Sequence, residues 1–201
     1  HEVLVYDPSG ELMNFKVGGY VEGGGKTTTW INSMAIGPNR RLYLPSCYGL
    51  FQVYDRTKTG FEGFLYGISM DKTDYTGLQR YIAADRAKSV CYIINRSGRV
   101  WKYEDTGKEI KPLYASEGGE KLAYPTGPSA SAGQIWLAAH GGSPLWESDG
   151  HEVALFWDNG EEILFVERFG GAGKAEDKVQ FMNPSAAILT PDHLGLWVVE
   201  D

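Results

Sequence analysis

The feature that most constrains this chain is a repeat cut through its middle by the two ends. Residues 151–161 read HEVALFWDNGE and residues 1–11 read HEVLVYDPSGE. The opening residues therefore repeat the second half of an internal unit. Residues 183–201, NPSAAILTPDHLGLWVVED, supply a strand, a turn and a second strand, which is the first half of such a unit. Placed after residue 201, the opening strands complete a group of four. A closed ring of sheets has to bury its last edge, and ends that finish each other are one way to do so.

The repeat recurs through the chain. Its first signature is a strand, a polar turn and a short apolar run, at residues 31–47, 78–95, 125–140 and 183–201. Its second is an aromatic-rich strand, an acidic residue and, as a rule, a glycine turn, at 50–60, 99–107, 153–160 and 3–10. The starts at 31, 78 and 125 are 47 residues apart, within the roughly 40–50 residues of a propeller blade. The next interval is longer by the insertion at 141–150, GGSPLWESDG. Small residues at 129–132 and 185–187 suit strands that converge on a crowded axis. The expectation is one all-β domain, a β-propeller of about four four-stranded blades at 31–66, 78–115, 125–169, and 183–201 plus 1–17. In it the N-terminal strands close the C-terminal blade. A flat sandwich would not require a fixed period or complementary ends.

The joined repeat resembles NHL repeats. The residues that carry the likeness are Phe169-Gly170, Pro184, Asp192 with Gly195, Val198-Val199 leading to Asp201, then Val3–Tyr6 and Gly10. The repeats at 31 and 78 lack the family's proline and its aspartate after the second strand. The resemblance implies a propeller distantly similar to six-bladed gluconolactonase-like proteins. Four blades are countable, so the chain is a compact ring, half of a shared ring, or part of a longer protein.

Charge excludes one class of partner. The net charge is −7 and the Lys/Arg residues do not cluster beyond Arg40-Arg41, so a nucleic-acid footprint is not expected. No apolar run approaches the ~18 residues of a spanning helix, and membrane insertion is not expected. Two cysteines, Cys47 and Cys91, are too few for a disulfide framework at this length. The missing leader and the family habit lean towards an extracellular or envelope location.

Chemistry is harder to find. When the second strands are aligned on Tyr43, Cys91, Trp136 and Trp197, the residues four further on are Cys47, Asn95, His140 and Asp201. Ring symmetry would gather them at one end of the axis, where thiol, amide, imidazole and carboxylate can hold calcium or zinc. The plain alternative is that such residues bond the loop amides that follow. A one-residue shift in the second repeat would put Arg96 in place of Asn95. His193 and His151 read as loop residues, and no HExxH, CxxC or GxSxG spacing occurs. Glu161-Glu162 and Glu104-Asp105 are expected to be solvated hairpin carboxylates. The family's lactonase and lyase ligand sets do not map onto these positions. Trp146 in the insertion, with Tyr48 and Tyr75 in other loops, is the expected contact surface for a protein or small ligand. The leading expectation is a scaffold without catalysis or resident cofactor. The alternatives are a metal-dependent hydrolase or lyase and a homo-oligomer joined through its terminal half-blades.

Overall fold

A computed structural model describes residues 3–17, 31, 33–38, 40–46, 50–70, 80–85, 87–95, 98–117, 125–139, 151–170, 181, 184–190, 192 and 194–200. Its sixteen strands run β1 (Val3–Tyr6), β2 (Leu12–Val17), β3 (Ala35–Ile36), β4 (Arg41–Pro45), β5 (Leu50–Asp55), β6 (Phe64–Ser69), β7 (Arg80–Asp85), β8 (Val90–Asn95), β9 (Val100–Asp105), β10 (Ile110–Ala115), β11 (Pro125–Ser131), β12 (Gln134–Ala139), β13 (Glu152–Asp158), β14 (Ile163–Gly170), β15 (Pro184–Leu189) and β16 (Leu196–Glu200).

Three antiparallel four-stranded meanders, β3–β6, β7–β10 and β11–β14, form complete blades. They span residues 35–69, 80–115 and 125–170. Two hairpins flank them, β1–β2 before the first blade and β15–β16 after the third.

Period-two alternation explains how the blades stack. Each central strand is buried on both faces and feeds two cores. In β8, Cys91 and Ile93 pack with Phe51 and Val53 of the first blade. Tyr92 and Ile94 pack with Ile135, Leu137 and Phe156 of the third. In the first blade, Leu42, Leu44 and Tyr54 turn the other way and meet Val3, Val5 and Val17 of the N-terminal hairpin. In the third, Ala138 and Val153 meet Ala187, Leu196 and Val198 of the C-terminal hairpin.

The first strands converge, as expected of an axis. A Cβ added at Gly127 (φ +42°) would lie 2.5 Å from Ala186 Cα, closer than any side chain tolerates. Side chains also tie the inner strands together. The Leu189 amide donates to Ser129 Oγ (3.1 Å) and the Ile82 amide to Ser33 Oγ (3.2 Å).

One expectation needs correction. Among the described residues the N-terminal strands do not pair with the C-terminal hairpin. β1–β2 and β15–β16 are separate two-stranded sheets, each packed on a different blade. Among the described residues the two hairpins share no sheet.

Candidate functional site

Two buried carboxylates recur at equivalent positions between blades. The Asp105 amide donates to Ser89 O at 2.9 Å and the Asp158 amide to Gly133 O at 2.8 Å, so each closes its hairpin in the same way. Asp105, at the end of β9, reaches back to the first blade. It accepts hydrogen bonds from Tyr43 Oη and Tyr66 Oη, both 2.6 Å, and is paired with Arg41 at 2.7 Å. Asp158, at the end of β13, reaches back to the second. It accepts from Tyr92 Oη at 2.6 Å and Tyr114 Oη at 2.5 Å, with Lys102 Nζ at 2.6 Å.

Both carboxylates stay charged although buried. Burial pushes the Asp105 carboxyl up, but Tyr43, Tyr66, the Gly107 amide and Arg41 outweigh it and hold the group below its ordinary value. Burial acts the same way on Asp158, outweighed by Lys102, Tyr114, Tyr92 and the Gly160 amide. The donors move the opposite way. Burial, then the bond to the carboxylate, raises the Tyr43, Tyr66 and Tyr92 hydroxyls. These contacts fasten blade to blade. The expectation that Asp105 is solvated is thus wrong: its side chain has no exposed surface.

The same hairpin bond fixes the repeat register. In the first blade the amide that plays this part is that of Arg56, donating to Arg40 O at 3.1 Å. Arg56 therefore stands where the other blades carry Asp105 and Asp158. Tyr43 and Tyr92 are equivalent, since both donate to the aspartate of the next blade. The alignment on Cys91 was one residue short. The Asn95 amide donates to Arg99 O and the Ser46 amide to Leu50 O, the same turn in two blades. Asn95 is hence the counterpart of Ser46, and the counterpart of Cys47 is residue 96.

Asn95 is buried, and its Oδ1 accepts the Arg99 amide at 3.0 Å, the loop-bonding role. Cys47, His140 and Asp201 of the expected metal group lie outside the described residues, as do Tyr48, Tyr75 and Trp146 of the expected contact surface. Among the described residues no three His, Cys, Asp or Glu side chains gather as metal ligands. No described helix is long and apolar enough to cross a membrane.

The concave surface that the sequence did not signal is a cleft of about 990 Å³ between β1–β2 and the first blade. Val3, Val5, Val17, Met34, Ile36 and Leu42 make its apolar wall; Asp7, Arg40 and Arg56 also line it. Among the described residues the hairpin covers part of that blade's face. Met34 is 54% exposed beside it.

No protein-family model matches the chain, and no curated protein matches it. Solved structures do. The chain is similar to the structure of U3-55K, at a TM-score of 0.61 and 13% identity over 92% of this chain and 48% of that one. It is also similar to the WD40 repeats of RRP9, at a TM-score of 0.55 and 13% identity over 83% of this chain and 42% of that one. The chain spans less than half the length of either structure. These neighbours are WD40 propellers and lend no support to NHL repeats as such. Blades, converging inner strands and structural neighbours agree on the architecture: the chain has a β-propeller fold.

Proposed function

We propose that the chain is a non-catalytic propeller scaffold that binds a protein through its exposed sheet surface beside β1. The observation that carries this reading is the apolar cleft of about 990 Å³ lined by Val3, Val5, Met34, Ile36 and Leu42. An apolar wall of this kind suits a segment that lays apolar side chains along it. The buried ionisable groups Asp105, Asp158, Arg41 and Lys102 are engaged in blade contacts, which supports a structural use of the polar residues. The WD40 neighbours favour the same class of role.

A selection of displayed peptides against the chain tests it. The reading expects extended apolar peptides whose capture falls at least tenfold with Ile36→Asp or Met34→Asp. Peptides indifferent to both changes sink it, and so does failure to select any.

A further inference from the structure

The second and third blades fit together less fully than the first and second, and one residue accounts for the difference. Tyr43 and Tyr92 are equivalent, so strand register aligns their blades. Tyr43 pairs with Val53 and Pro45 with Phe51, as Tyr92 pairs with Lys102 and Ile94 with Val100. Phe51 then pairs with Ile68 on the outer strand β6. The Val100 carbonyl accepts the Ser116 amide, just past β10, at 2.8 Å. Ser116 therefore stands where the first blade carries Ile68. Ile68 packs into the core that holds Tyr103 and Ile110 of the second blade. Ser116 is too short to fill that place, and its hydroxyl turns back to accept the Val100 amide at 3.1 Å. At this junction lies a crevice of about 230 Å³ lined by Ser116, Phe156, Ile163 and Phe165.

Its buried side chains are mainly apolar. Phe156 and Ile163 are buried, and the Phe165 ring meets Phe156 edge to face at 5.5 Å. Its exposed lining includes two carboxylates, Glu117 from the second blade and Glu162 from the third. Among the described residues neither carboxylate has a hydrogen-bond or ion-pair partner.

We propose that this crevice binds a lysine side chain of a partner protein, with the butyl stem against Phe156, Ile163 and Phe165 and the ammonium between Glu117 and Glu162. This goes beyond the cleft beside β1: the two sites have no lining residue in common.

Size, charge and geometry select the occupant. The space is smaller than the roughly 300–1,000 Å³ of pockets that enclose whole small molecules, and suits a single side chain. Matching both linings takes a long apolar stem with a cationic head, as in Lys and Arg. A guanidinium gains most by stacking on an aromatic face. Arg168 of the chain itself already lies over Phe165, its guanidinium carbon 5.3 Å from the ring centroid and Nη1 3.4 Å from Glu152. An ammonium needs no free ring face, and its three donors can serve two carboxylates. The same blade junction already uses this chemistry: Lys102 Nζ lies 4.8 Å from the Tyr114 ring centroid and 2.6 Å from Asp158. The net charge of −7 draws a basic partner towards the chain.

The test is a titration of the full chain, followed by amide NMR, with an acetylated and amidated pentapeptide that carries one lysine among glycines. Saturable shifts should centre on Ser116, Glu117 and residues 162–165. The norleucine peptide, which keeps the stem and drops the charge, should bind about tenfold more weakly, and the arginine peptide more weakly than the lysine peptide. Glu117→Gln and Glu162→Gln should each weaken lysine binding about threefold, and together about tenfold. Ser116→Ile, which carries the residue of the first junction, should fill the crevice and abolish the shifts. The two exposed glutamate changes keep the test valid should that chain fail to fold. No saturable shift at these residues overturns the proposal. So does norleucine binding equal to lysine, tighter binding of arginine, or a doubly substituted chain that binds like the parent.

Discussion

Tyr43 donates its hydroxyl to Asp105 across 62 residues of sequence at 2.6 Å, joining the second strand of one blade to the third strand of the next. Tyr92 and Asp158 repeat the contact one blade on, at the same distance. A phenol beside a buried carboxylate contributes more than a neutral pair, because the acceptor is charged and shielded from water. Tyr43→Phe should cost about 1.5–3 kcal/mol, read as a lower urea midpoint with unchanged slope. Asp105→Ala should cost more, since it leaves Arg41 and two phenols without their acceptor. A change below about 0.5 kcal/mol in both variants would refute the assignment.

The same contacts set two pH limits. Asp105 and Asp158 have folded-state pKa values below the ordinary 3.8. Their contribution is complete above that value and is lost as pH falls through the lower folded values. Tyr43, Tyr66, Tyr92 and Tyr114 are raised above 10.0, and Tyr54, by burial, to about 12. The unfolded chain then releases phenolic protons that the folded chain keeps, so stability falls as pH rises past 10. Thermal midpoints from pH 2 to 11 should show a plateau with both edges. Tyr43→Phe/Tyr92→Phe should flatten the alkaline edge.

Gly127 sets the distance between the first strands of the third blade and the C-terminal hairpin. Gly127→Ala combines a contact 2.5 Å from Ala186 Cα with a positive φ. The expected loss is about 2–4 kcal/mol, from overpacking plus backbone strain. The first loss should appear as faster hydrogen exchange in residues 184–189.

Cys91 is fully buried, and burial with the Asp105 charge nearby pushes its thiol well above the ordinary value. In a Cys47→Ser chain, a thiol reagent should leave Cys91 unlabelled until denaturant unfolds the second blade. Labelling at the native plateau would mean that the first two blades separate readily.

The repeat period and the small inner residues made the propeller legible, because both are local patterns. Ser129 and Ala186 read as crowded-axis residues and stand at that crossing. The Asp105 contact was not legible. Nothing around Glu104-Asp105 distinguishes a solvated turn from a buried acceptor; the difference comes from Tyr43 and Tyr66, brought from another blade. The second-repeat register slipped because Cys91 and Tyr92 are neighbours, and only the hydroxyl bond to Asp158 tells which one matches Tyr43. The joining of the ends failed for another reason. Complementary strand patterns do not say which sheet a hairpin packs on, and the two hairpins pack on different blades.

Each central strand sends alternate side chains into two different cores, so no blade owns its own interior. Cooperativity then passes only between nearest neighbours, as in a one-dimensional lattice. The middle blade is gripped from both sides. Its β8 amides should be the last to exchange with deuterium, and the terminal hairpins the first, so that the molecule melts inward from its ends.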